Sequence, residues 1–313
     1  DISVNVVGWY TISESSVDCG STNQYNYLAD NAAKAAGVNL DDYDARMYLF
    51  PYTPSCGYGG IGSGNQLVIN GTIDLYTWVH EFGHTFGLHH AASLDCFGKQ
   101  IGNYFQDCAI NRYGDEYDVM GQPYPGIYHL NAAFKTKLQW ITHPSVAHVT
   151  GNGIYTIYSL EQATNQLQSL VIDKHDTNDY YFIEYRQPTG YDSRLPEGIT
   201  RGALIHIYTT NWFDNDTFII DTSPETPPPT LFFNASLGDG DSFIDTVNNI
   251  KITQLSHSTN SVTVQVETPP PTFTLNDILL TLTYYTELND IRFSPVEGKI
   301  NFLDFAFVSK YLQ

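Results

Sequence analysis

The chain has 313 residues, with 34 acidic against 14 basic side chains and a formal net charge of -20, which excludes a Lys/Arg-rich surface for nucleic acid or anionic lipid. Hydrophobic residues make up 42% and aromatic residues 14%, so the composition is that of a globular chain long enough for two domains, not of a disordered one. No stretch of about 18 apolar residues occurs, so no bilayer-spanning helix is expected.

Taken in chain order, Ile2 to Tyr10 alternate and end in aromatics, the pattern of a strand. Ser21 or Thr22 caps a helical run through Tyr25, Leu28, Ala32 and Ala36, which Gly37 ends. After the acidic turn Asp41-Asp42-Tyr43-Asp44 come two further strands, Arg46 to Phe50 and Gln66 to Asn70, joined by a glycine-rich stretch from Gly57 to Gly64. A second helix runs from Leu75 to about Gly87, so residues 1–143 read as an α/β unit. Residues 144–266 read as an antiparallel β-sandwich, built from short runs at Gly153–Leu160, Leu167–Asp173, Tyr180–Arg186, Ala203–Thr209, Phe218–Asp221, Ile250–Leu255 and Ser261–Glu267. The hexapeptide Glu-Thr-Pro-Pro-Pro-Thr occurs at Glu225–Thr230, read as a loop, and at Glu267–Thr272, where residues 267–272 read as a stiff linker. Leu275 to Leu288 and Phe302 to Leu312 are amphipathic, so 273–313 reads as a short helical module.

The chain opens at Asp1 without a Met or an apolar leader, and a removed signal or pro-segment is expected. Cys19, Cys56, Cys96 and Cys108 form an even set with three complete pairings; Cys19–Cys56 and Cys96–Cys108 are favoured, which implies an oxidising, extracellular compartment. Asn70, Asn215 and Asn234 begin candidate glycosylation sequons.

The chemistry is concentrated in Val79-His80-Glu81-Phe82-Gly83-His84-Thr85-Phe86-Gly87-Leu88-His89-His90. Residues four apart share a helix face, so His80 and His84 can present two imidazoles to one Zn2+ ion. Glu81 is rotated off that face and suits a general base on metal-bound water. Gly87 can turn the chain in a left-handed conformation and bring His90 round as third ligand, with His89 the competing choice. Three protein ligands leave a tetrahedral zinc open at its fourth position, the arrangement of a catalytic site. Five fixed positions of this kind coincide by chance in roughly one chain in 10⁴ to 10⁵. Downstream, Tyr117-Asp118-Val119-Met120-Gly121 is a candidate Met-turn, with Met120 a thioether floor beneath the imidazoles. Tyr124 or Tyr117 could donate a hydrogen bond to the scissile carbonyl, packing being the alternative for both. Asp41-Asp42-Tyr43-Asp44 and Gly238-Asp239-Gly240-Asp241 could bind calcium or serve as solvated turns.

With these motifs on the page, the chain resembles the gametolysin family of metzincins, secreted zinc peptidases. The likeness includes Cys56-Gly57-Tyr58-Gly59-Gly60-Ile61-Gly62, Tyr113-Gly114-Asp115, His129-Leu130-Asn131-Ala132, Leu138-Gln139-Trp140, Tyr181-Phe182-Ile183-Glu184-Tyr185-Arg186 and Leu204-Ile205-His206-Ile207, with Gln139 standing where a Gly precedes the Trp. The resemblance implies an α+β, multi-domain chain: a metzincin-like catalytic domain, then the sandwich, then the helical module. It implies His80, His84 and His90 as zinc ligands, Glu81 as base, Met120 as the Met-turn residue, and a protein or peptide substrate. The tail from Glu297 to Leu312 is similar to half of a dockerin module, but Phe293 and Pro295 replace its first oxygen ligands, which leaves a metal-free helical pair for a partner or for self-assembly. The alternative is an extracellular structural or binding subunit with an idle or structural zinc site, assembling through the sandwich and residues 273–313.

Overall fold

The computed structural model describes residues 3–14, 22–123, 126–209, 215–224 and 232–269. In chain order these form α1 (Thr22–Ala35), β1 (Arg46–Phe50), β2 (Gly60–Ser63), β3 (Gln66–Asn70), α2 (Leu75–Thr85), β4 (His90–Asp95), β5 (Ala109–Asn111), α3 (Ala132–Lys137), β6 (Val146–His148), β7 (Gly153–Tyr158), β8 (Ser169–Lys174), β9 (Asp179–Tyr185), α4 (Glu197–Thr200), β10 (Ala203–Tyr208), β11 (Asn215–Ile220), β12 (Ser242–Asp245), β13 (Ile250–His257) and β14 (Ser261–Glu267). The mixture of helices and sheets agrees with an α+β chain. The chain divides after Pro269, and residues 270–313, with the helical module expected at 273–313, lie outside the described residues.

The first sheet has the order β1-β3-β2, with β3 parallel to β1 and antiparallel to β2. Leu67, Val68 and Ile69 bury β3 at its centre, and β2 is left as an edge. The strand expected at Ile2 to Tyr10 does not form over the described residues 3–10. Gly8 turns the segment at φ 42°, and Val4, Val6 and Trp9 remain more than four-fifths exposed, so the alternation finds no partner edge to satisfy.

The other two sheets, in the orders β5-β4-β11-β10-β9-β8-β6 and β12-β13-β14-β7, enclose a common core that includes Ile157, Ile183, Ile205, Phe218, Phe243, Ile252 and Val264. The sandwich expected for 144–266 therefore also takes in β4 and β5, and two of its pairings, β11 with β4 and β6 with β8, are parallel. Strand β4 was hidden in the sequence because Ala91, Ala92, Ser93 and Leu94 are all buried, which removes the alternation that marks a one-sided strand. Pairing with β11 joins the sandwich directly to the segment that begins at His90.

Cys96 and Cys108 form the expected disulfide, closing the loop between β4 and β5. Cys56 is also disulfide-bonded, and Cys19, its expected partner, lies outside the described residues. Asn70 is corrected as a glycan acceptor. It is buried, its side-chain amide donates to the carbonyls of Thr53 and Tyr58, and its oxygen accepts from the Thr53 N–H. Asn234 is half-buried and donates to the Ser223 carbonyl, while Asn215 lies on β11 opposite His90. Among the described residues no helix is long and apolar enough to cross a membrane.

Candidate metal centre

Helix α2 begins at Asp74, whose side chain accepts from the Thr77 N–H at 2.8 Å, and ends at Gly87 with φ 79°. Leu88 N–H donates to the Gly83 carbonyl and Gly87 N–H to that of His84, the two bonds of a Schellman stop. This stop reverses the chain and starts β4 at His90 against the helix face that carries His80 and His84. Ligand nitrogens of the three histidines lie within 4.8 Å of one another, and their ring centroids are 4.9 to 5.4 Å apart.

Two of the imidazoles are oriented by backbone carbonyls. Nδ1 of His80 donates to the Val119 carbonyl and Nδ1 of His84 to the Leu88 carbonyl, both at 2.8 Å. A carbonyl can only accept, so each Nδ1 carries the proton and each Nε2 keeps the lone pair that a metal requires. Burial lowers the His80 pKa to about 4, with His84 adding to the effect and the Val119 bond opposing it. Two imidazoles whose Nδ1 atoms are committed to carbonyls, with His90 converging on them as the third, fit a zinc ion that keeps an open position.

Glu81 is buried beside this set, and burial pushes its carboxyl up to about 7, against the opposing effect of a hydrogen bond from the Gly62 backbone. The glycines of β2 make the approach possible. A Cβ at Gly60 would come within 2.5 Å of the Glu81 Cγ, and one at Gly62 would fall on the Glu81 carbonyl. An open groove beside the centre is lined by Gly62, Ser63, Gly64, His84, Gly87, Leu88, His89 and His90.

Beneath the helix, Met120 is fully buried, and a Cβ at Gly83 would fall on its Sδ. Asp118 shapes the turn, accepting from Met120 N–H at 2.7 Å and from Asn131 N–H at 2.6 Å. The Ala91 N–H then donates to the Met120 carbonyl, so the turn is tied to β4 one residue past His90.

Residues 10–110 match the Peptidase M66 family model. The chain is also 28% identical over 123 residues to the serralysin of Photorhabdus laumondii subsp. laumondii, across 33% of this chain and 26% of that protein. It therefore spans about a quarter of the relative's length. No solved structure matches. The two similarities support a metallopeptidase, and the M66 match contains His80, Glu81, His84 and His90.

Several expected residues lie elsewhere. Tyr117 is corrected as a substrate donor, because it is buried in a cluster with Tyr128, Leu195, Ile199 and Leu204. Tyr124 lies outside the described residues. His89, the competing ligand, instead bonds Asp216 through Nδ1 at 3.1 Å. In the two acidic turns, Asp241 accepts from the Gly238 N–H and Asp42 from Asn39 within the turn, while Asp239 accepts from Gln254 and pairs with His257 on β13. Sequence reasoning assigned no role to Tyr113, whose ring lies 4.2 Å from that of His90, nor to Asp216. Neither has a local spacing signal, since both reach the centre through tertiary packing.

Proposed function

We propose that the chain is a secreted zinc-dependent endopeptidase. The observation that carries this reading is the convergence of three imidazoles, whose ligand nitrogens lie within 4.8 Å of one another, with the buried Glu81 next to His80 on the helix that carries two of them. His80, His84 and His90 would hold the ion, which when bound supplies Lewis acidity to polarise the scissile carbonyl and to acidify water. Glu81 takes the proton from the attacking water and returns it to the leaving amine, a task suited to a carboxyl that burial brings to about 7. The β2 edge beside the groove offers backbone groups to an extended peptide as an added strand, and its glycines let that strand lie close to α2. Met120 supports the helix from below, and its burial is consistent with a floor, not a ligand. The disulfide between Cys96 and Cys108 supports an oxidising compartment and thus secretion.

The test is cleavage of a denatured protein by the purified chain. Activity is expected to vanish with a zinc chelator and to return with added zinc; cleavage indifferent to the chelator would refute the reading.

A further inference from the structure

The turn between α2 and β4 carries a polar side chain that the three-imidazole set does not use. His89 lines the groove next to His84 and His90, with its side chain 52% exposed. It is nonetheless held firmly. Asp216, in the bulge where β11 pairs with β4, accepts from the His89 backbone N–H at 2.9 Å and pairs with its ring Nδ1 at 3.1 Å. Lys137, the last residue of α3, donates to the same carboxylate at 2.7 Å. The Asp216 side chain is only 7% exposed, so this carboxylate gathers three elements at one buried point and holds His89 by two bonds, one to its backbone and one to its ring.

A carboxylate without a proton accepts hydrogen bonds only, so Nδ1 of His89 is the donor and Nε2 is the ring atom that Asp216 leaves unused. Lys137 balances the Asp216 charge, so the arrangement adds no strong field for a charged side chain. Hydroxyl and carboxamide groups both donate and accept, and they pair with Nε2 whichever role it takes. An aliphatic side chain at the same place would strip water from the imidazole and return no bond.

We propose that His89, positioned by Asp216, is a specificity-determining residue that hydrogen-bonds the substrate side chain entering the groove beside the metal centre, selecting Ser, Thr, Asn or Gln over aliphatic residues. The proposal rests on the peptidase reading and extends it to substrate choice.

The experiment is cleavage-site profiling of a peptide library with the zinc-loaded protein and its His89→Leu, His89→Gln and Asp216→Asn variants, with zinc content measured for each. The wild type is expected to favour hydroxyl and amide side chains about tenfold at one subsite, the size of one modest hydrogen bond. His89→Leu should erase that preference while zinc remains bound, and His89→Gln should restore part of it. Asp216→Asn should weaken it through KM and not kcat, a split that loss of folding would not produce. A profile identical in wild type and His89→Leu overturns the proposal. Equilibrium binding of the same peptides to the zinc-loaded Glu81→Ala protein, with and without His89→Leu, needs no turnover. If the wild type cleaves nothing, the peptidase reading fails and the binding ratio decides: a tenfold ratio lost with His89→Leu supports the role, and equal binding overturns it.

Discussion

Glu81 and Gly83 sit two residues apart on one helix and have opposite requirements. In the proposed mechanism Glu81 uses its carboxylate for proton transfer and not for ligation, so Glu81→Ala should keep zinc yet lower kcat by about 10² to 10⁴, the usual contribution of a general base. Zinc content by mass spectrometry beside steady-state kinetics checks this, and near-normal turnover with zinc bound would remove Glu81 from the base role. Gly83 needs the absence of a side chain, because a methyl there would fall on Met120 Sδ in a fully buried site. Gly83→Ala should destabilise the fold by about 1 to 3 kcal/mol through overpacking, measured by chemical denaturation. The His, Glu and Gly spacing was legible because a helix converts sequence separation directly into direction. The requirement at Gly83 was not, since Met120 reaches it from a distant turn.

Strands and helices carry the site's second layer of support, and Arg186, just past the end of β9, is the clearest case. Its guanidinium donates to the carbonyl of Tyr117 at 2.9 Å and to that of His129 at 3.2 Å, and so holds both ends of the segment that contains Met120. Asp192 pairs with it at 2.6 Å and Glu161 at 3.3 Å, and all three side chains are essentially inaccessible. Replacement by Met leaves the buried carboxyl groups of Asp192, Glu161 and Glu184 without their cation, so Arg186→Met should destabilise by about 3 to 5 kcal/mol. Thermal unfolding reads the loss, and a melting temperature within a degree or two of wild type, roughly the shift of a neutral surface change, would contradict it. At this scale the sequence was informative where periodicity was local: β1, β3 and β14 run over the residues their patterns indicate. It was silent on β4, buried on both faces, and on β2, whose glycines reflect close packing on α2 and not strand propensity.

Over the described part of residues 1–269, the peptidase-like segment and the sandwich are coupled by buried charge as well as by the β4–β11 pairing. His206 on β10 is buried with Nε2 3.1 Å from the Asp115 carboxylate and Nδ1 3.9 Å from that of Glu184 on β9. Asp115 belongs to the loop that leads into Met120, and its backbone N–H donates to the Ala91 carbonyl, one residue past His90. Burial alone would lower the His206 pKa, but Glu184 and Asp115 outweigh it and the net shift is upward. A histidine whose folded-state pKa is raised binds its proton more tightly when folded, so its contribution to stability is complete below the unfolded value of about 6.5 and is lost as pH rises through the folded value. The difference in unfolding free energy between wild type and His206→Gln should therefore be largest below about pH 6.5 and shrink steadily above it. Urea titrations of both proteins from about pH 5.5 to 9 measure that difference, and a flat profile would mean that His206 does not titrate between its two carboxylates. The declining profile, in contrast, would make one imidazole in the sandwich a determinant of how firmly the Met120 loop is held, because Asp115 is the residue on that loop to which it is bonded.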